Sequence, residues 1–173
     1  MSQDSNPSAA TGGAQILDGK ATAAAVRSEV AAGVETLVSG GGRQPGLTVV
    51  LVGDDPASQV YVRSKDRAAT EAGFRVETVR MPADSAQADV EATVRRLNGL
   101  AAVDGILVQL PLPKGLDSDA VTELIDPAKD VDGLTKDNIA RLVLGQDGLV
   151  PCTPAGCLEI CDRHGISLAG KDV

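Results

Sequence analysis

Apolar residues recur along this chain in two rhythms, one helical and one strand-like. From Gly19 to about Ser39, the residues Ala23, Val26, Val30, Val34 and Leu37 return at three- and four-residue steps with Arg, Glu and Thr between them. That spacing predicts an amphipathic helix with the apolar stripe turned inward. Leu47-Thr-Val-Val-Leu-Val52 is short, continuous and rich in β-branched residues, the pattern of a strand buried on both faces. A Gly53-Asp-Asp-Pro turn then feeds a second helix, capped by Asp55, with Pro56 at its first position, running through Tyr61 and Lys65 to about Ala72. Arg75-Val-Glu-Thr-Val-Arg80 alternates and reads as a half-buried or edge strand.

A third helix is expected from Ser85 to Leu100, with Val90, Val94 and Leu97 inward and Asp84 or Ser85 as its cap. Gly105-Ile-Leu-Val-Gln-Leu110 reads as another buried strand, which delivers Gln109 at its carboxyl end before Pro111-Leu-Pro113 stops it. Ser118 to Ile125 predicts a short helix, and Asp126 to Gly133 is a polar loop with strong turn chemistry. Asn138 to Leu144 and Pro154 to His164 predict two further helices. Strands alternating with helices imply an α/β fold in three layers, a mostly parallel sheet flanked by helices. In such sheets ligands sit beyond the carboxyl ends of the strands. The stretches there are Gly53 to Lys65, Gln109 to Pro113 and Lys129 to Gly133.

Composition narrows the picture. A chain of 173 residues suits one domain with one full core. It is 43% hydrophobic but only 1% aromatic, so that core is built from Val, Leu, Ile and Ala, and Phe74 and Tyr61 are the sole aromatic residues. Residues 1–14 are small and polar and are expected to be a disordered tail. The net charge of −8 argues against binding nucleic acid or an anionic membrane. Without a bilayer-length apolar run or a secretory leader, a cytoplasmic location is expected. Cys152, Cys157 and Cys161 are odd in number and close together, which is no disulfide framework. Cys157, Cys161 and His164 share a helical face, but no Cys-x-x-Cys knuckle is present; buried free cysteines on the core side of the helix are expected, and no metal.

Tyr61 and Lys65, one turn apart, share one face of the second helix. A desolvated lysine can take and return a proton near neutral pH, while a tyrosine offers a flat face or a hydroxyl. A solvated helix face that happens to hold a lysine is the plainer alternative. The same spacing occurs in short-chain dehydrogenases, but those need a Gly-rich dinucleotide turn upstream, and Gly40-Gly-Gly42 ends a helix instead. Gly165 to Lys171 has phosphate-loop spacing, yet Asp172 stands where Ser or Thr is needed. Asp130-Val-Asp132-Gly133 fails as a calcium loop because Ala128 and Ile139 occupy ligand positions.

Four stretches taken together carry a more specific signal: Gly53 to Lys65, Val108-Gln-Leu-Pro-Leu-Pro113, Lys129-Asp-Val-Asp-Gly133 and Pro151-Cys-Thr-Pro-Ala-Gly156. In this order they closely resemble the bifunctional methylenetetrahydrofolate dehydrogenase/cyclohydrolase family. The resemblance implies interconversion of methylene-, methenyl- and formyl-tetrahydrofolate, with hydride passing to NADP and water adding in the second step. It implies Lys65 as catalytic acid/base, Gln109 holding and tuning it, Asp132 hydrogen-bonding the pterin, and Tyr61 stacking on the folate rings, with Leu110 and Pro111 also at the substrate. A buried lysine beside a neutral amide loses its charge more easily than one beside a carboxylate, which agrees with Gln at position 109.

The resemblance further implies a folate-binding catalytic domain over residues 15–150, and a helix and linker over 151–173 leading toward a Rossmann-type NADP domain that this sequence does not contain. A fragment or truncated product is therefore expected, unable to transfer hydride alone because nothing in it matches a dinucleotide site. The alternative is a non-catalytic folate-binding or interaction module. Intact family members are expected to be homodimers.

Overall fold

The computed structural model describes residues 14–172, so the tail expected over residues 1–14 lies outside the described residues except for Ala14. The first helix, α1 (Gly19–Ser39), starts at Asp18, whose Oδ1 accepts the Ala21 N–H at 2.9 Å. Such a cap satisfies one of the amides a helix start leaves unpaired and is worth about 1 kcal/mol. The strands β1 (Gly46–Val52), β2 (Arg75–Met81) and β3 (Gly105–Val108) form one parallel sheet in the order β2-β1-β3. Leu47 pairs with Val76 on one side and with Gly105 on the other, which makes β1 the central strand.

Centrality explains the sequence of β1. Its Val49, Val50, Leu51 and Val52 are all buried because each face of the sheet is covered. Val50, Val52, Ile106 and Val108 meet Val90, Val94 and Leu97 of α3 (Gln87–Asn98) and Val121 of α4 (Ser118–Glu123). Val49, Leu51 and Leu107 point the other way, onto Val62 of α2 (Pro56–Glu71). The expected three layers are thus present. Each fully buried Val or Leu contributes roughly 1.5–3 kcal/mol of transfer free energy. β2 alternates between exposed and half-buried positions, as its place at the edge requires.

The polar loop over residues 126–133 is drawn onto the free edge of β3. The Ile106 N–H donates to the Lys129 carbonyl at 2.7 Å, and Ile106 and Asp130 form a single parallel bridge. Beyond it, α5 (Lys136–Val143) is capped by Thr135, and α6 (Cys152–Arg163) packs on α1.

Several expectations are corrected. The third helix starts at Gln87 after Ala86 without a side-chain cap, because the Ser85 hydroxyl donates to Pro82 O at 2.7 Å. The second buried strand ends at Val108, leaving Gln109 and Leu110 beyond it. Both later helices begin two residues earlier than their apolar spacing suggested, since Thr135 and Pro151 set their starts. The α1 stripe is not sealed: Val30 and Leu37 are exposed, and Thr22 is the buried residue of that helix. Nor are the cysteines buried on a core side. Cys152 and Cys157 are exposed and Cys161 half-buried, because α6 rests on α1 along one side and contributes no buried residue. His164 is held structurally, its Nδ1 2.8 Å from Ile160 O and its Nε2 accepting the Asp18 N–H. Among the described residues, no helix is long and apolar enough to cross a membrane.

Candidate active site

Three strand-end segments converge at one corner of the sheet. At the end of β1, Gly53 turns the chain with φ 84°, a conformation glycine adopts without strain, and its N–H donates to Met81 O of the edge strand. The Asp55 carboxylate then accepts the Ser58 N–H at 2.7 Å, and that backbone bond holds its carboxyl below the usual carboxylate range. This cap fixes the phase of α2. Val62 locks the underside of the helix into the core; Lys65, three residues on, reaches the strand ends, and Tyr61 lies one turn before it on the same helix. Tyr61 is 63% exposed, a flat apolar face open to a ligand, and Lys65 is half-buried.

At the end of β3, Gln109 is fixed twice. Its backbone N–H donates to Val50 O at 2.9 Å, and its side chain is buried. The amide Nε2 donates to Leu110 O at 2.6 Å, which turns Oε1 toward α2, where it accepts a hydrogen bond from Lys65 Nζ at 3.2 Å. The next peptide, Leu110–Pro111, is cis; Leu110 is half-buried and Pro111 exposed.

The third segment brings Asp132. Its loop is pinned at Gly133, where φ is 64° and an added Cβ would stand 2.5 Å from the Val150 carbonyl carbon. Asp132 is half-buried, and burial is the main force pushing its carboxyl above the ordinary range. Lys65 opposes that shift and the charge of Asp130 adds to it. Lys65 therefore lies in the field of a carboxylate as well as against the neutral amide that the sequence pointed to.

Two residues of the corner escaped sequence reasoning. Cys152 is exposed as a residue, but its sulfur turns inward, 3.4 Å from Val131 O. Desolvation pushes the thiol up, the charges of Asp132 and Asp130 push it further, and Lys65 draws it down. Its place in the Pro151 to Gly156 motif was the available signal, overlooked because the helix was expected to begin at Pro154. Asp130 is buried, and its Oδ2 accepts the Thr135 N–H at 2.8 Å and the Asn138 side-chain amide at 3.0 Å. No periodicity marks such a residue, because its partners come from the next helix.

The corner thus sets an amine, a neutral amide acceptor and a carboxyl with a raised pKa together, with the exposed Tyr61 one helical turn before the amine. That set can hold a flat, polar heterocycle and move protons at its edge. Among the described residues, no cluster of His, Cys, Asp and Glu is arranged to hold a metal. A cleft of about 1000 Å³ lies between α1 and α6, lined by Val26, Val30, Leu149 and Ile160, and meets the corner only at Cys152. The chemistry belongs to the corner, since the cleft walls are mostly aliphatic.

The chain is 58% identical over 157 residues to the bifunctional protein FolD of Acidiphilium cryptum, covering 91% of this chain and 55% of that one. It is 55% identical over 156 residues to the counterpart from Oleidesulfovibrio alaskensis, covering 90% and 54%. The chain therefore spans about half the length of these curated relatives. Among solved structures, the Campylobacter jejuni bifunctional enzyme FolD, a methylenetetrahydrofolate dehydrogenase/cyclohydrolase, superposes with a TM-score of 0.89 at 40% identity, over 91% of this chain and 56% of that one. The Trypanosoma brucei dehydrogenase-cyclohydrolase, solved with NADP cofactor and an inhibitor, gives a TM-score of 0.86 at 38% identity, over 91% and 54%. Residues 17–132 match the model for the catalytic domain of tetrahydrofolate dehydrogenase/cyclohydrolase, and with that match the chain belongs to this family.

Proposed function

We propose that the corner formed by Tyr61, Lys65, Gln109 and Asp132 binds a tetrahydrofolate derivative and that Lys65 moves protons there, serving the hydrolysis of methenyl- to formyl-tetrahydrofolate. The observation that carries this reading is the Lys65–Gln109 hydrogen bond, which ties helix to strand across 44 positions of sequence and aims the amine at the strand ends. In this reading Tyr61 stacks on the folate rings, Asp132 hydrogen-bonds the pterin, and Leu110 and Pro111 border the bound substrate. Water attacks the electrophilic methenyl carbon; Lys65 accepts one proton from it and returns it to the departing ring nitrogen, and the second water proton leaves to solvent as the formyl C=O forms. The 15–150 segment is the folate-binding unit and 151–173 the helix and linker beyond it, with Cys152 at the start of that helix beside the site.

NADP-dependent oxidation of methylenetetrahydrofolate is the partner reaction of the longer relatives. The residues described here do not fit that cofactor. The helix start after β1, where a pyrophosphate would sit in a dinucleotide fold, carries Asp54 and Asp55, and Asp55 itself fills the cap. No hydride step is assigned to this chain.

The test is methenyltetrahydrofolate hydrolysis by the chain and by its Lys65→Ala variant. The parent is expected to exceed the buffer rate and the variant to match it; equal rates in both sink the catalytic reading. A second reading, a folate-binding module without turnover, is favoured by the exposure of Tyr61, which leaves the site open to water. Folate binding with equal background rates would establish it. We also propose a cytoplasmic location, and a homodimer for the intact family members. Exposed Val143, Leu144 and Leu158 offer apolar surface for association, and sedimentation at rising concentration tests this.

A further inference from the structure

We propose that Asp130 is a positioning residue for the Lys65 site, holding the loop over residues 129–133 against α5 and imposing an unneutralised negative charge on the groups around Asp132. The inference deepens the folate-site reading and takes the Lys65 corner from it.

The first part rests on geometry. Asp130 is 1% exposed, and with Thr135 and Asn138, at 1% and 2%, it forms a buried polar knot at the start of α5. Besides its bond to Asp130, the Asn138 amide donates to Pro127 O at 2.9 Å, so the knot grips both ends of the loop. The bridge to Ile106 then fixes the loop to the sheet edge. Asp132, two residues on, inherits its position from these contacts.

The second part rests on what Asp130 lacks. Both of its named donors are neutral, and its other oxygen, Oδ1, is buried with no hydrogen-bond partner. Burial pulls this carboxyl up, but the bonds from Asn138 and Thr135 together hold it below the usual range, so it remains an anion at neutral pH. A buried carboxylate met only by dipoles projects its charge into the surrounding low dielectric. The groups in that field are Asp132 on the same loop and Cys152 on α6, both pushed up by it, while Lys65 on α2 is the opposing cation.

The orphan oxygen also supplies a clean substitution. In Asp130→Asn, the amide oxygen can replace Oδ2 opposite Thr135 and Asn138, and the amide nitrogen then takes the place of Oδ1, where no donor is displaced. The clamp is expected to survive, with a buried amide nitrogen in place of the orphan oxygen, and the charge is removed.

The experiment uses Cys157→Ser/Cys161→Ser chains, in which Cys152 is the remaining thiol. Iodoacetamide alkylation is followed against pH with and without Asp130→Asn, alongside thermal unfolding and the pH profile of methenyltetrahydrofolate hydrolysis. We expect an unfolding midpoint within about 3 °C of the parent, an alkylation midpoint moved to lower pH, and an acidic limb of the hydrolysis profile moved the same way. A folded Asp130→Asn chain with an unmoved alkylation midpoint overturns the proposal. A moved midpoint with no hydrolysis by either chain retains it and removes the catalytic reading instead. Should Asp130→Asn fail to fold, carboxyl-carbon NMR of the parent decides. Asp132 must titrate above Asp130, and the reverse order overturns the charge role.

Discussion

Lys65 and Gln109 meet at 3.2 Å although one lies on α2 and the other just past the end of β3, 44 positions along the chain. The contact exists because α2 packs over one face of the sheet through Val62, against Val49 and Leu51 of β1 and Leu107 of β3, and β3 pairs with β1, so both side chains arrive at the same carboxyl edge.

Replacing Gln109 with Ala removes the acceptor of Lys65 and empties a buried amide position. Loss of one such bond is worth about 1 kcal/mol in stability. The larger effect is expected on hydrolysis, a fall of roughly tenfold or more in kcat as the amine loses its aim. Steady-state kinetics with a thermal melt separates the two.

Tyr61 contributes surface to a ligand and little to the fold, since it stands 63% exposed. Tyr61→Ala should leave stability within about 0.5 kcal/mol. Loss of stacking worth about 0.5–1.5 kcal/mol corresponds to a two- to tenfold weaker folate affinity. Tyr61→Phe should retain the affinity. Fluorescence titration with a folate checks both variants.

Asp132 gives a pH signature of definite sign. Its folded carboxyl is raised, chiefly by burial, so the native state holds that proton more tightly than the unfolded chain does. Its contribution to stability is therefore present at low pH and is lost as pH rises from the ordinary carboxylate range through the folded pKa. Asp132→Asn should melt higher than the parent at neutral pH, and the gap should close on acidification. Folate affinity should fall in the same variant, which sets the site function against stability. Melting curves across the acidic range provide the check.

Gly133→Ala tests the pin under the Asp132 loop. With φ at 64° and the Val150 carbonyl carbon 2.5 Å from the new Cβ, the backbone must shift. A loss of about 2 kcal/mol or more is expected, together with weaker folate binding as Asp132 moves. A melting temperature equal to the parent's would contradict this account.

Much of this architecture was legible in the chain. β1 announces itself because a strand covered on both faces must be apolar throughout, and α2 because Asp55 and Pro56 are start signals that act locally. The starts of α5 and α6 were misplaced for a related reason. Their apolar spacing begins later than their hydrogen bonding, and Thr135 and Pro151 decide the latter. The α1 stripe misled because amphipathicity states that a face can be covered, not by what.

At the corner itself, sequence determined which residues are available: a tyrosine and a lysine one turn apart, a glutamine at the end of a buried strand, and an aspartate in a turn-rich loop. Their spacings are local, so chain chemistry alone sets them. Only the tertiary structure decided that they meet, because the meeting depends on strand order and on the rung that draws residues 129–133 onto β3. It also decided that Asp130 and Cys152 join them. Burial and through-space charge are properties of packing, and no pattern along the chain carries them.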